Sequence, residues 1–200
     1  MGIKESSISG AVEGLIDEAV LRRLVMDTGG TMGPVYGKQG KEHLLLRLPG
    51  FNAAAIHSPW VVLVDPDRDA KCAAVLRRRC LPAPAPFMCF RIAVREVETW
   101  LLADREELAR FVGVPVSRVP VAPESLQDPK QTMIEIARHS RRRAIREDMV
   151  PRPSSGRIVG PAYVSTMIEF ATTRWRPEVA MLHSDSLRRC MERIRKLVSA

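Results

Sequence analysis

Residues Trp60–Asp69, WVVLVDPDRD, decide the fold, because an apolar run of strand length stops there at three aspartates in alternate positions. The run is short and lies between Pro59 and Pro66, which is typical of a strand buried on both faces. Such a strand belongs to a parallel sheet covered by helices, so its acids fall at the carboxyl edge of the sheet. Open α/β sheets bind their ligands at that edge, since the loops that leave it converge on one crevice.

The chain of 200 residues carries 31 lysines and arginines against 23 acids, for a net charge of +8. This balance favours a polyanionic partner, and a basic surface that only keeps the protein in solution is the alternative. The four cysteines form no CxxC pair and have no histidine at ligand spacing, which indicates neither a zinc site nor a disulfide framework. No apolar run approaches the ~20 residues of a membrane span. We therefore expect a cytoplasmic protein with no membrane contact.

Strand and helix patterns alternate over the first half of the chain. Strands are predicted at residues 9–12, 34–36, 60–64 and 87–94, each followed by a helical pattern. Pro49 and Gly50 are expected to bend or split the second helix, which covers residues 41–56. This order specifies an α/β fold, with a mainly parallel sheet of about four strands flanked by helices.

Beyond Asp104 the alternation stops, and the remaining patterns are helical. Further helices are predicted at residues 131–146, 163–175 and 186–198. We therefore expect an α/β domain at residues 1–112 and a basic C-terminal helical extension, packed on it, at residues 113–200.

Three of the predicted strands end at acidic residues: Glu13 after the first, Asp65, Asp67 and Asp69 after the third, and Glu96 and Glu98 after the fourth. Clustered carboxylates repel one another unless a cation neutralises them, and Mg²⁺ takes oxygen ligands of this kind. Acids also cap helices and favour the first helical turn, so Asp67, Asp69 and the last pair have a structural alternative. At helical spacing Glu96 and Glu98 cannot share a face, so both reach one site only if the chain there is extended.

Two of these segments carry a resemblance to a known fold. The VEG sequence around Glu13 and the VDPDRD sequence that begins at Val64 resemble the TOPRIM fold of topoisomerases, primases and OLD-type nucleases. Together with FRIAVREVETWLLAD and PESLQDPKQ, they make the whole chain similar to a bacterial family of small TOPRIM-like proteins. Members of that family often accompany an ATPase in phage-defence neighbourhoods.

The resemblance implies a role for each acid that matches the motif. Glu13 would be the general acid or base, while Asp65 and Asp67 would hold Mg²⁺ or Mn²⁺, with Asp69 as a third ligand. By similarity to the OLD-type nucleases, the second metal would be held by Glu96 and Glu98, and Lys130 would be the catalytic lysine. Topoisomerase activity is not expected, because Tyr36 and Tyr163 are both interpreted as packing residues.

Basic residues are densest in the predicted helix at residues 131–146. On one helix Arg138, Arg142 and Arg146 share a face at i, i+4 spacing, and such a stripe can follow a phosphate backbone. A solvated face or a contact with an acidic partner is the alternative. Lys38 and Lys41 flank a glycine-rich turn, GKQGK, which lacks phosphate-loop spacing but presents a basic rim to nucleic acid.

The sequence therefore predicts a metal-dependent nuclease or nicking subunit that acts on nucleic acid, in phage defence with a partner ATPase. The alternative is a non-catalytic TOPRIM-like adaptor or sensor that binds a partner protein or nucleic acid. A phosphatase with Asp65 as its covalent nucleophile fits less well, because Ala70 ends the acidic run where a threonine is expected.

Overall fold

The computed structural model describes residues 7–65, 73–92 and 96–199. Its sheet consists of four strands, β1 (Ile8–Val12), β2 (Met32–Gly37), β3 (Trp60–Val64) and β4 (Met88–Ile92). The strands are all parallel and lie in the order β2-β1-β3-β4. The predicted α/β fold, with a parallel sheet of about four strands flanked by helices, is confirmed.

The described residues also form ten α-helices. In chain order they are α1 (Leu15–Asp27), α2 (Lys41–Ala54), α3 (Ala73–Cys80), α4 (Glu98–Ala103), α5 (Arg105–Val112), α6 (Pro129–Arg138), α7 (Arg143–Met149), α8 (Tyr163–Thr173), α9 (Pro177–Ala180) and α10 (Asp185–Val198). Among them, no helix has both the length and the apolar character that are needed to cross a bilayer.

The third strand is the buried centre of the sheet, as its sequence predicts. All five residues of β3 are buried. Val62 and the residues on its face of the sheet pack in one core with Leu44, Leu48 and Phe51 of α2. On the opposite face Gly10 of β1 lies under α1, where any side chain at that position would collide with Leu21. Helices therefore cover both faces, which is why the strand is apolar at every position.

The last helix, α10, packs on the edge strand β4. The guanidinium of Arg193 donates to the carbonyl oxygen of Met88 at 3.2 Å. The buried thiols of Cys89 and Cys190 are hydrogen-bonded to each other. This hydrogen bond lowers the pKa of Cys89 and, together with burial, raises the pKa of Cys190 well above its ordinary value. The C-terminal helix is therefore an integral part of the sheet's cover.

Contacts within the chain define two compact units. Unit 1 comprises residues 1–94 and 186–200, and unit 2 comprises residues 95–185. These boundaries differ from the predicted division at residue 112, because α4 and α5 pack with the later helices while α10 packs on β4. In unit 2 the buried indole of Trp175 donates to the carbonyl oxygen of Trp100 at 3.2 Å. Trp60, Trp100 and Trp175 are all core residues, since they are 8%, 0% and 0% exposed.

A buried ion pair stabilises the turn before α9 in unit 2. The Asp104 side chain has no exposed surface, and its carboxylate accepts three hydrogen bonds from Arg176. The donors are the backbone N–H at 2.9 Å, Nε at 3.0 Å and Nη2 at 2.6 Å. The hydrogen bond to Asp104 raises the pKa of Arg176. The pair thus joins the end of α4 to a residue 72 positions later.

The single basic helix predicted at residues 131–146 is wrong, because a non-helical turn separates two shorter helices there, α6 and α7. The hydroxyl of Ser140 is buried and donates to the carbonyl oxygen of Val112, and it also accepts the backbone N–H of Arg142 at 2.9 Å. A serine that binds the backbone in this way competes with helical hydrogen bonds and ends the helix. Elsewhere, of the bend or split that is expected in the second helix, the split does not occur, since exposed Pro49 lies inside α2.

Candidate functional site

Glu13 and Asp65 lie together at the carboxyl edge of the sheet in unit 1. Glu13 follows β1 and Asp65 follows β3, and these strands are parallel neighbours. The Glu13 Oε1 atom accepts a hydrogen bond of 2.7 Å from the backbone N–H of Asp65. Both residues are half-buried, and the Oδ1 atom of Asp65 is fully buried. The fold therefore brings together the predicted proton-transfer residue and the first predicted metal ligand.

A glycine-rich turn closes over the end of β1 beside Glu13. Gly37 has a φ of 93°, and a Cβ there would lie 2.2 Å from the carbonyl oxygen of Val12, so no other residue fits. The next backbone N–H, that of Lys38, donates to the same oxygen at 2.9 Å. The N–H of Gly40 donates to the carbonyl oxygen of Glu13 at 3.2 Å. These contacts fix the backbone on both sides of the Glu13 side chain.

The two lysines of this turn are held by the protein itself. The ammonium of Lys38 lies 3.0 Å from the Glu18 carboxylate and donates to the carbonyl oxygen of Val35 at 3.1 Å. The ammonium nitrogen of Lys41 is buried. As a nucleic-acid contact, Lys41 would have to bring its buried ammonium to the surface, whereas Lys38, one-third exposed, would share its charge with Glu18.

Asp17 is an additional acid at this edge of the sheet. It is buried, with 7% of its surface exposed. Its Oδ2 atom would lie only 3.0 Å from a Cβ placed on Gly14, the residue after Glu13. Its place in the first turn of α1, the helix that follows Glu13, is the signal that could have identified Asp17 from the sequence.

The remaining aspartates of the opening motif, Asp67 and Asp69, lie outside the described residues. Within the described residues no group of three or more histidine, cysteine or acidic side chains is arranged to hold a metal ion. The carboxylate oxygens of Glu13 and Asp65 are the hard donors that Mg²⁺ and Mn²⁺ prefer, so the donor chemistry fits such an ion.

In unit 2, Glu96, Glu98 and Lys130 form a cluster of charges. The Lys130 ammonium lies 3.1 Å from Oε1 of Glu96 and 3.6 Å from Oε1 of Glu98. The backbone N–H of Lys130 also donates to Oε2 of Glu96 at 3.2 Å. Both glutamates reach one lysine because α4 begins only at Glu98, which leaves Glu96 outside the helix. Val97, between the two glutamates, has helical backbone angles (φ −63°, ψ −22°), so the extended geometry that the sequence required is absent, and both glutamates reach the lysine without it.

Tyr163 completes this cluster, although its sequence context indicated only packing. The side chain is buried, and its hydroxyl donates to Oε1 of Glu98 at 3.2 Å. Burial, together with the negative charge of Glu98, raises the pKa of Tyr163 well above its ordinary value. The hydroxyl therefore stays protonated and acts as a donor. Residues 65 positions apart carry no local signal of such a contact, so the sequence could not reveal it.

The three arginines expected on one helical face are separated by the break between α6 and α7. Arg138 is the last residue of α6, Arg142 precedes α7, and Arg146 lies within α7. The Arg142 guanidinium donates to the carbonyl oxygen of Phe111 at 2.9 Å, and that of Arg146 donates to the carbonyl oxygen of Ser140. The predicted stripe of arginines on one helical face is wrong, and the three arginines instead lie around the turn between α6 and α7.

Comparisons with family models, with curated proteins and with solved structures found no match to this chain.

Proposed function

We propose that this chain is a metal-dependent nuclease or nicking subunit that cleaves nucleic acid, and that it works with a partner ATPase in phage defence. The observation that supports the proposal best is the 2.7 Å hydrogen bond between Glu13 and the backbone of Asp65. It holds a carboxylate suited to proton transfer against a candidate metal ligand. The pair lies at the edge where parallel sheets bind their ligands. The resemblance to TOPRIM proteins supplies the reaction class and the partner.

Each residue of the pair has a distinct role in this proposal. Asp65 holds Mg²⁺ or Mn²⁺, and Asp67 and Asp69 contribute further oxygen ligands. A divalent ion polarises a phosphodiester and lowers the pKa of water, which is the chemistry that cleavage requires. Glu13 accepts a proton from the attacking water or donates one to the leaving oxygen. Its hydrogen bond to the end of β3 keeps the carboxylate in one orientation for that transfer.

The second candidate function is a non-catalytic adaptor or sensor, and the charge cluster of unit 2 favours it. Lys130 already lies between Glu96 and Glu98 and neutralises one of their two charges. The Tyr163 hydroxyl also donates a hydrogen bond to the Glu98 carboxylate. A second metal at these glutamates would have to compete with the lysine. In the adaptor, these residues stabilise unit 2 and take no part in cleavage.

A nicking assay on supercoiled DNA, with a parallel assay on RNA, tests the proposal. Wild type, Glu13→Gln and Asp65→Asn would each be incubated with Mg²⁺ or Mn²⁺, alone and with a neighbouring ATPase. Glu13→Gln keeps an oxygen acceptor for the Asp65 N–H, so it removes the proton-transfer group without removing the hydrogen bond. Glu42→Gln, an exposed acid in the first turn of α2, is the matched control.

We expect Glu13→Gln to lose at least about 100-fold in rate, the usual contribution of general acid–base catalysis. Asp65→Asn should lose rate through weaker metal binding, while Glu42→Gln retains wild-type rate. Circular dichroism and thermal unfolding would verify that the variants fold. Cleavage that is independent of divalent metal, or that both site variants retain, would contradict the nuclease and favour the adaptor.

A further inference from the structure

Unit 2 has a groove of about 410 Å³ beside the turn between α6 and α7. Arg110, Arg141 and Arg142 line it, together with Gly113 and Pro115 and two small apolar residues. Three of its seven lining residues are therefore cationic and none is acidic. The sequence prediction placed Arg142 on a helical stripe and assigned no role to Arg110 or Arg141.

The wall of this groove is rigid, because the turn is fastened to the end of α5. Gly113 ends α5 with a φ of 81°, and its carbonyl oxygen accepts the backbone N–H of Arg141 at 3.0 Å. The aliphatic part of Arg142 lies over Gly113, where a Cβ would come within 3.1 Å of Cγ. The Arg142 guanidinium also donates to Phe111. The backbone of this wall and the Arg142 side chain therefore lose little conformational freedom when the groove binds a ligand.

The positive charge of the groove is available to a ligand. Within the described part of the chain, the Arg141 guanidinium makes no hydrogen bond and no ion pair, and the residue is exposed. Arg110 pairs with Glu107, but the arginine side chain is 67% exposed whereas the Glu107 side chain is only 8% exposed. The cation therefore faces solvent while its counter-charge is buried. An anion that enters the groove meets guanidinium groups and no carboxylate from the lining.

A second arginine-lined groove of about 280 Å³ lies in the same unit. Its lining includes Arg138, Arg146 and Arg152. One carboxylate, that of Glu147, also lines it, so its charge is partly balanced. Arg146 is linked to the first groove's turn by its hydrogen bond to the carbonyl oxygen of Ser140. The helix break thus produces two cationic grooves in one unit, which suits a ligand with repeated negative charges.

We infer that unit 2 binds the phosphate backbone of nucleic acid through the groove that contains Arg110, Arg141 and Arg142. This inference rests on the proposed function and specifies where that function's substrate is held. Guanidinium groups form paired hydrogen bonds with phosphate oxygens, and such contacts position a nucleic acid without selecting its sequence. The centres of protein–protein interfaces are rich in aromatic residues on both sides, and no aromatic residue lines this groove.

The test is fluorescence anisotropy with a labelled single strand and a labelled duplex, in EDTA so that binding is measured without cleavage. We compare wild type, Arg141→Ala and Arg110→Ala across a series of salt concentrations. Arg157→Ala is the control, because it removes the same charge from an exposed residue of unit 2 that lines neither groove. Circular dichroism would verify the fold of each variant, and Arg141→Lys would test whether charge alone restores binding.

We expect Arg141→Ala to weaken binding by about 3- to 10-fold, and to reduce the slope of log K against log salt by about 0.9 for the duplex and 0.7 for the single strand. Arg157→Ala should leave both quantities unchanged. Equal effects of the Arg141 and Arg157 variants would overturn the inference, as would tighter, Arg141-dependent binding of a polyglutamate probe. Hydrolysis of bis(p-nitrophenyl) phosphate by wild type with Mn²⁺ tests the proposed chemistry separately, so either claim can fail without the other.

Discussion

Replacing Arg176 by alanine tests the energetic role of the buried ion pair in unit 2. The substitution removes two of the three hydrogen bonds that the Asp104 carboxylate accepts and leaves only the backbone N–H at 2.9 Å. In the wild-type protein the Asp104 side chain has no exposed surface, so its carboxylate depends on protein donors for its hydrogen bonds. The folded variant would therefore hold a carboxylate that is incompletely solvated, whereas the unfolded chain solvates it fully.

The magnitude follows from burial and geometry. Removal of one partner from a buried ion pair costs about 3–5 kcal/mol. The Arg176 side chain is 37% exposed, so solvent screens part of the interaction. We therefore expect the free energy of unfolding of unit 2 to fall by about 2–4 kcal/mol. With a urea m-value of about 1–1.5 kcal/mol/M, the midpoint of unfolding should fall by roughly 1.3–4 M.

Arg174→Ala is a matched control from the same turn. Arg174 also pairs with a buried carboxylate, that of Glu107, but at 3.8 Å and with 60% of its side chain exposed. Its loss should cost no more than about 1 kcal/mol. Arg176→Lys keeps the charge but cannot reproduce the paired donors, so its stability should lie between wild type and Arg176→Ala.

Tryptophan fluorescence measures the effect in the relevant unit. Trp100 and Trp175 are both fully buried in unit 2, so a Trp60→Phe background removes the tryptophan signal from unit 1. Urea unfolding followed by fluorescence and by circular dichroism would give the midpoints. If the midpoint for Arg176→Ala lay within about 0.3 M of the midpoint for Arg174→Ala, the assigned role of the ion pair would be refuted.

Three other substitutions have definite expected outcomes. Gly37→Ala should displace the turn beside the candidate site, because its Cβ would collide with the carbonyl oxygen of Val12. Urea unfolding should show a free energy of unfolding lower by about 1–3 kcal/mol. Tyr163→Phe removes the hydroxyl that donates to Glu98 without leaving a cavity, so thermal or urea unfolding should show a loss of about 1.5–3 kcal/mol. Partial burial raises the pKa of Glu18, but hydrogen bonds from two cations outweigh it and lower the pKa below 4.5. Glu18→Gln should therefore be less stable than wild type near pH 7, by less than about 1 kcal/mol. The difference should disappear as pH falls below the lowered pKa, and a series of urea midpoints from pH 7 downward checks this.

The parts of the fold that obey regular geometry were predictable from the sequence. The five apolar residues of β3 indicated a strand buried on both faces, and the alternation of elements indicated a parallel sheet. Because parallel strands end at the same edge, the proximity of Glu13 and Asp65 followed from the sequence alone. Both conclusions depend on the lengths and the alternation of apolar segments along the chain, and a sequence displays these features directly.

The parts that depend on contacts between distant residues were not predictable. The helix break at Ser140 depends on the carbonyl oxygen of Val112, which is 28 residues earlier, and nothing in the basic stretch itself reveals that partner. The hydrogen bond from Tyr163 to Glu98 depends in the same way on a contact between residues that are 65 positions apart. Lys130 was connected to the glutamates only through a family resemblance, and its distances to them come from packing that no local pattern encodes.

The position of α10 has a consequence for the synthesis of the chain. Strand β4 is complete at Ile92, yet the helix that packs on it begins at Asp185, so all of unit 2 leaves the ribosome first. During that interval the face of β4 around Cys89 lacks its cover, and a fragment that ends near residue 94 would never acquire one. A premature stop codon within α10 should therefore expose β4 in the sheet of unit 1, although that strand lies far earlier in the chain than the stop.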